Sequence, residues 1–258
     1  MIGFFIKKAF FDSWDNLITL VGLNLVYLLV LLSAYGALSA LGAQPVIGIV
    51  LLLVVLLLNS LVTGTISFVT KHFAWFQRPT FADVKRAFLD SWRHSLLHYV
   101  FTVIVVVIVQ LVIPFYLSYQ KLLPFAVAVI LFWIVLTLVM ASLYYFALAA
   151  QMPADKPLKT FKKSLMVVGD NMGFTIFFLL YTVLNLVSTI VFATIIPGVS
   201  GISLSQQVAM KLLMFKYDFL EEHPNTPKKQ LPWEELLFDE RERVGKRTFK
   251  GMIFPWKE

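Results

Sequence analysis

The sequence predicts an all-α integral membrane protein with six transmembrane helices, arranged as three repeats of an amphipathic elbow helix followed by a helical hairpin. Three observations lead to this fold class. The apolar residues lie in long continuous blocks, the basic residues lie on one side of those blocks, and a short element recurs at intervals of 78 and 77 residues. The first observation defines the helices, the second their orientation and the third their grouping.

The apolar blocks are too long for the core of a soluble protein. Apolar residues make up 59% of the 258 residues and charged residues 14%, against roughly 25% charged in soluble domains. A helix that crosses the hydrocarbon layer needs about 20 apolar residues, and in lipid its backbone groups must bond within the helix. The predicted spans are Leu17–Leu41, Val46–Val69, Leu96–Leu117, Pro124–Ala150, Gly173–Phe192 and Ala193–Phe215.

The sixth segment is the weakest of these spans. It contains Pro197-Gly198 and a polar run from Ser203 to Gln207, so by itself it is compatible with a span, a re-entrant segment or a surface helix. Charge placement favours a span, because basic residues collect on the cytoplasmic side of short loops. With six spans, all of the 22 lysines and arginines except Lys121 lie on that side. Both termini are therefore predicted to be cytoplasmic.

A recurring leader precedes each pair of apolar blocks. Its copies read IKKAFFDSWDNL at Ile6–Leu17, VKRAFLDSWRHS at Val84–Ser95 and FKKSLMVVGDNM at Phe161–Met172. Self-similarity at a fixed interval indicates a repeated structural unit, and a third unit would also need two helices. The predicted repeats cover about residues 4–79, 80–157 and 158–222, and residues 223–258 form a cytoplasmic tail.

The leader has the pattern of a short interfacial helix. Ile6, Phe10 and Trp14 are four residues apart and share one helix face, with basic residues elsewhere. Such helices lie at the membrane surface near anionic headgroups. We predict an elbow that sets the start of each hairpin; a ring of leaders that binds lipid headgroups or a peptide is the alternative. The candidate interface residues are Lys7, Lys8, Trp14, Lys85, Arg86, Trp92, Lys162 and Lys163.

Four amide side chains lie inside the predicted spans: Asn24, Asn59, Gln110 and Asn185. Amides in membrane helices usually join neighbouring helices by hydrogen bonds. Helix contacts are therefore one interpretation of these residues, and a polar path for a solute is the other.

Residues suited to catalysis are scarce in this sequence. The chain has no cysteine, and its acidic residues all fall outside the predicted spans, whereas acids inside spans mark ion pathways. His94 and His98 share a helix face near Asp90, but they lack the glutamate of a zinc-protease motif, so interfacial packing is predicted. The sequence predicts no enzymatic activity, no metal and no cofactor.

The tail carries two aromatic side chains suited to docking, Trp233 and Trp256. Tryptophan is over-represented among the residues that dominate binding interfaces. These two residues are predicted to dock either onto the cytoplasmic face of the membrane domain or onto a partner protein.

Several short motifs give the chain a family resemblance. W-D-N-L-I begins at Trp14, D-V-K-R-A-F at Asp83, K-P-L-K-T-F-K-K-S-L at Lys156 and I-P-G at Ile196. Over about residues 1–220 the chain resembles the YesL-like family of small bacterial multi-pass membrane proteins of unknown function. The resemblance implies a location in the bacterial cell (inner) membrane and an accessory role beside a carbohydrate-uptake transporter.

Three functional hypotheses follow, of which a membrane enzyme that acts on lipid has the least support. The first is a non-enzymatic accessory or scaffold whose partners are the lipid bilayer and another membrane protein such as a transporter. The alternative is a carrier or passive channel for a small or lipid-like solute. Nucleic acid is not an expected partner, because the net charge of +7 is placed for a membrane surface.

Overall fold

The computed structural model describes residues 1–192, 196–227 and 231–248, and all regular structure within these ranges is helical. The helices are α1 (Ile2–Asp15), α2 (Leu17–Ala43), α3 (Pro45–Ala74), α4 (Phe81–Val107), α5 (Ile113–Ser118), α6 (Leu122–Gln151), α7 (Pro157–Asp170), α8 (Met172–Val191), α9 (Gly198–Glu222), α10 (Trp233–Leu236) and α11 (Phe238–Val244). A π-helical turn, Ile108–Val112, joins α4 to α5.

Five helical segments are long and apolar enough to cross a membrane: α2, α3, the continuous helix Phe81–Ser118, α6 and α8. They confirm the prediction of an all-α membrane protein. Helix α9 is not among the five, because its polar residues, chiefly Gln206, Gln207 and Lys211, lower its hydropathy. The six-span count and the threefold repeat stay predictions.

Four of the long segments form a bundle: α2, α3, the continuous helix Phe81–Ser118 and α6. On one side of this bundle their ends lie close together. At this side the Trp75 indole N–H donates to the Gln151 side chain at 3.3 Å, and the Lys71 ammonium donates to the Ala150 carbonyl at 2.8 Å. We call it the basic end; it contains the start of α2 and α4 and the end of α3 and α6. Helix α3 is central and packs against α2, α4, α6 and α9.

Asparagine separates the first and third leaders from the helices that follow them. Asn16 (φ −114°) and Asn171 (φ −130°) both leave the helical conformation. Each side-chain amide donates to the carbonyl four residues earlier, at 2.8 and 3.0 Å, and such local bonds compete with helix continuation. In the second copy His94 takes this position, and there the leader continues into the span without a break.

The π-helical turn in the third long segment has a local cause. Pro114 has no N–H, and its ring clashes with the carbonyl four residues earlier in a regular α-helix. The backbone accommodates this with a wider turn, in which the Ile113 N–H donates to Ile108. The turn leaves Gln110 exposed on the outer surface.

Helix α9 lies in the middle of the protein. It packs against α1, α2, α3, α6 and α8, and its residues Leu204, Val208 and Leu212 are fully buried. Six of its polar residues are buried as well, so they face protein groups rather than lipid: Ser200, Ser203, Ser205, Gln207, Lys211 and Lys216. This arrangement explains how a helix too polar for lipid can belong to the membrane domain.

We predict that Gly48→Ala destabilises the protein, although alanine has a higher helix propensity than glycine. A Cβ at Gly48 would lie 2.2 Å from the Leu41 backbone, so α2 and α3 would have to separate. We expect a loss of about 1–3 kcal/mol, measured as a lower midpoint of thermal unfolding in detergent. The matched control is Gly36→Ala in α2, where nothing lies within 4 Å; equal midpoints for the two variants would contradict the prediction.

Candidate functional site

Four charged side chains meet inside the basic end, which we call the charge cluster: Lys8, Asp12, Lys211 and Glu240. The Lys8 ammonium lies 2.9 Å from Asp12 and 3.0 Å from Glu240, and Lys211 lies 2.6 Å from the other oxygen of Glu240. All four residues are at least nine-tenths buried. The two positive and two negative charges balance, which reduces the penalty of placing ions away from water.

Three distant parts of the chain position the cluster. Lys8 and Asp12 are one turn apart on α1, Lys211 belongs to α9 and Glu240 belongs to α11. The turn after α3 completes the surroundings. The Lys211 ammonium donates to the Ala74 carbonyl at 2.9 Å and lies 4.2 Å from the Trp75 ring centre, while Lys8 lies 3.7 Å from the Phe76 ring centre. Ring faces attract such cations.

Burial has a clear electrostatic effect on Asp12. Its loss of hydration raises the pKa of this carboxyl to about 6, although the neighbouring Lys8 and Lys211 act to lower it. Burial favours the neutral form of a carboxyl and a nearby cation favours the charged form. At Asp12 burial is the larger of the two effects.

The cluster anchors the tail against the membrane domain. Leu237 and Val244 of the tail are buried, and two further contacts lie at its far side. The Lys7 ammonium donates to the Gly245 carbonyl at 2.9 Å, and Arg247 pairs with Asp15 at 2.8 Å. The docked segment therefore uses both the cluster and the surface of α1.

One of the two predicted docking tryptophans lies in the docked part of the tail. Trp233 is half-buried and packs against the main core at the start of α10. Trp256 lies outside the described residues. The tail thus contacts the membrane domain through Trp233, Leu237 and Glu240.

The predicted interface residues fall into two groups. Trp14, Lys85, Arg86, Trp92 and Lys162 are exposed, as a headgroup role requires. The prediction for Lys8 was wrong. Lys8 is fully buried in the charge cluster, because Glu240 of the tail pairs with it. Lys7 bonds to Gly245 and Lys163 pairs with Asp155, so both are engaged within the protein.

The four span amides have separate local contacts. Asn24 donates to the Pro197 carbonyl at 3.0 Å and accepts from the Ser200 N–H at 2.9 Å, and Asn59 accepts from the Tyr27 hydroxyl. Asn185 donates to the Tyr181 carbonyl of its own helix, while Gln110 is exposed. Asn24 and Asn59 join helices, and these contacts do not align the four residues along one path.

A second polar group, the glutamine bridge, lies one turn from Lys211. Gln207 donates to the Ser67 carbonyl at 2.9 Å and accepts from Gln151 at 3.1 Å. It ties α9 to α3 and α6 at the basic end.

His94 and His98, which share one face of α4, have different partners. His94 lies 3.3 Å from the Thr160 hydroxyl, and His98 lies 3.0 Å from the Ser60 hydroxyl.

No protein-family model, no curated protein and no solved structure matches this chain. Geometry is therefore what bears on the role of the charge cluster. Its charged groups are paired with one another and covered by the tail, an arrangement suited to holding two parts of a protein together.

Sequence patterns alone gave little sign of this site. Lys8 and Asp12 were visible as an i, i+4 pair, but the same pattern fits a solvated helix face. A lysine within the apolar stretch of α9 was the stronger signal, since an unpaired buried ammonium is unfavourable and implies a partner. Nothing near Glu240 distinguished it from the other acids of the tail.

We predict that Glu240→Gln releases the tail. The amide keeps the shape of the side chain but leaves Lys211 without its carboxylate, and removing one member of a buried ion pair costs about 3–5 kcal/mol. Trypsin should then cut at Arg241, Arg243 or Lys246 at least about tenfold faster than in the unchanged protein. Glu242→Gln, at an exposed neighbouring residue, is the control. Similar cleavage rates for both variants would show that the cluster does not hold the tail.

We predict a pH dependence of stability that arises from Asp12. Its pKa is raised from 3.8 to about 6, so the folded state binds this proton more tightly than the unfolded state. The stabilisation is complete below about pH 4 and is lost as the pH rises through 6, by on the order of 1–3 kcal/mol. Asp12→Asn should flatten the unfolding midpoint over this pH range. Asp239→Asn, an exposed control, should not; an unchanged slope in Asp12→Asn would refute the assignment.

Proposed function

We propose that this chain is a non-enzymatic accessory or scaffold protein of a membrane, which binds another membrane protein through its docked tail. The observation that carries the proposal is the charge cluster, which holds a short water-facing segment in one position on the membrane domain. Buried ion pairs are weak stabilisers but can fix a geometry. A fixed segment is better suited to recognition than a mobile one, because less ordering is needed on binding.

The docked tail presents an outward charged surface, which we call the tail platform. Its exposed acids are Glu234, Glu235, Asp239 and Glu242, with Arg241 and Arg243 beside them. Membrane proteins carry an excess of lysine and arginine in their cytoplasmic loops. Acids held at the membrane surface complement such loops, so a second multi-pass protein is the partner that this chemistry favours.

The membrane and the orientation are part of the same proposal. We place the basic end on the cytoplasmic side of a bacterial cell membrane, because the basic connections lie there. The YesL-like resemblance supports this location and suggests a carbohydrate-uptake transporter as partner. The matching caps at Asn16 and Asn171 support the descent of the first and third units from one repeated element.

A carrier or passive channel for a small or lipid-like solute has less support. That hypothesis called for a polar path through the span amides, and the contacts of Asn24 and Asn59 are those of helix-joining groups. We therefore favour the accessory function.

We predict that affinity purification of the full chain in mild detergent recovers the same multi-pass protein reproducibly. Glu235→Lys on the tail platform should reduce this recovery at least about tenfold, because it places a cation against basic loops. The reduction is to be measured by quantitative mass spectrometry of the recovered protein.

The control is Asp90→Lys, which reverses an exposed acid on α4 away from the tail. Recovery should be unchanged in this variant, and both variants should unfold at the same temperature as the unchanged protein. Equal losses for the two variants, or no reproducible partner at all, would refute the proposal.

A further inference from the structure

We infer that α8 and α9 form a re-entrant hairpin, which enters and leaves the membrane at the basic end, so that the chain crosses the bilayer four times. The exposed face of α8 is then an interaction surface for the acyl chains of one leaflet. The hairpin returns to the side it started from, whichever side of the membrane is cytoplasmic.

Helix α8 begins beside the basic end. Its first turns carry Thr175, whose hydroxyl lies 3.0 Å from the Tyr144 hydroxyl of α6. Tyr144 is two turns from Gln151, the last residue of α6 at the basic end, or roughly 10 Å at 1.5 Å per residue. The start of α8 therefore lies near the basic end of α6 and far from its opposite end, because α6 is 30 residues long.

Helix α8 also ends near the basic end. Phe192, directly after α8, lines the same cavity of about 300 Å³ as Leu17 and Val21, which belong to the first two turns of α2. A helix that crossed the bilayer would instead end beside the opposite end of α2. Both ends of α8 thus lie at similar, shallow depth.

The leader α1 gives an independent indication of this direction. The Phe5 ring packs against the rings of Phe177 and Phe178 in α8, with ring centres 6.0 and 5.5 Å apart. Two turns further along both helices, Ser13 and Asn185 line one cavity. Helix α8 therefore runs beside α1 and in the same direction. The leader is amphipathic, and Lys8 and Asp12 on it belong to the charge cluster at the basic end.

The tip of the hairpin is fixed at a measurable depth. The Pro197 carbonyl and the Ser200 N–H both bond to the side chain of Asn24, and the Ser200 hydroxyl donates to the Leu20 carbonyl at 2.9 Å. Asn24 is about 10 Å from the start of α2, whereas the hydrocarbon layer is about 30 Å thick. The tip therefore stops in the leaflet next to the basic end.

The return path along α9 agrees with this depth. Gln207 contacts Gln151 at the last residue of α6, so it is already back at the basic end. Gly198 begins α9 nine residues earlier, or roughly 14 Å along a helix. That length is too short for a crossing.

A re-entrant hairpin also satisfies the charge distribution. Basic residues before α8 and after α9 lie on one side whether the pair crosses twice or not at all, so the one-sided charge pattern cannot separate the two cases. Backbone at membrane depth is tolerated where it is covered by protein, and α9 packs against α1, α2, α3, α6 and α8. Helix α8 instead exposes apolar side chains, which suit the acyl chains of a single leaflet: Ile176, Leu180, Val183, Leu184, Val187, Ile190 and Val191.

The absence of cysteine from the chain makes single-cysteine labelling direct. Phe192→Cys and Ile196→Cys report on the tip, Gln44→Cys and Lys121→Cys on the end opposite the basic end, and Arg78→Cys on the basic end. A membrane-impermeant maleimide applied to intact cells and to inverted vesicles should label Gln44→Cys and Lys121→Cys from one side and Arg78→Cys from the other. The tip variants should not react from the side that labels Gln44→Cys. Labelling there at a similar rate would overturn the inference.

A distance measurement tests the tip when it is shielded by lipid from both sides. Spin labels at Phe192→Cys with Ile18→Cys, and at Phe192→Cys with Ile47→Cys, compare the tip with the two ends of the α2–α3 hairpin; all three side chains are exposed. Pulsed electron resonance in lipid nanodiscs should give the shorter distance for the Ile18 pair, by more than about 10 Å. The reverse order would establish a full crossing.

Discussion

Helix α9 carries serines, a glutamine and two lysines inside an apolar bundle, and hydrocarbon offers these groups no hydrogen bonds. Four of them bond to neighbouring elements: Ser200 to α2, Gln207 to α3 and α6, Lys211 to the tail and the end of α3, and Lys216 to Asn171. The positions of the surrounding helices are therefore constrained by the polar groups of one helix. Apolar packing alone would allow helices in lipid to slide or rotate, since lipid is as apolar as their side chains.

The charge cluster extends this constraint to the chain outside the bundle. Lys8, Asp12, Lys211 and Glu240 belong to α1, α9 and α11. Removing Glu240 leaves Lys211 without its ion pair, and removing Lys8 does the same to Asp12. Such a cluster contributes less to stability than to a defined geometry. Its result here is a tail that covers the basic end and shows its acids to the solvent, which is the basis of the proposed accessory function.

The two ends of the molecule differ accordingly. The opposite end consists of the bundle helices and their short connections, with Gln44 and Lys121 exposed there. The basic end is broadened by α1, α7, α8 and the tail. In a bilayer this distribution places more protein in one leaflet than in the other. The surfaces suited to partners, the acyl-chain face of α8 and the tail platform, lie at the broad end.

The sequence by itself determined the helical membrane class and, to within two residues, the limits of α2, α6 and α8, because hydropathy is a local property of the chain. It could not determine that Lys8 is buried, since its partner Glu240 lies at the other end of the sequence. Hydropathy also could not give the path of α8 and α9: it measures how well a segment transfers into lipid and contains no direction. The tertiary structure decided that path through the contacts of Asn24 with Pro197 and Ser200, because a side chain fixed on a neighbouring helix sets the depth that a hairpin reaches.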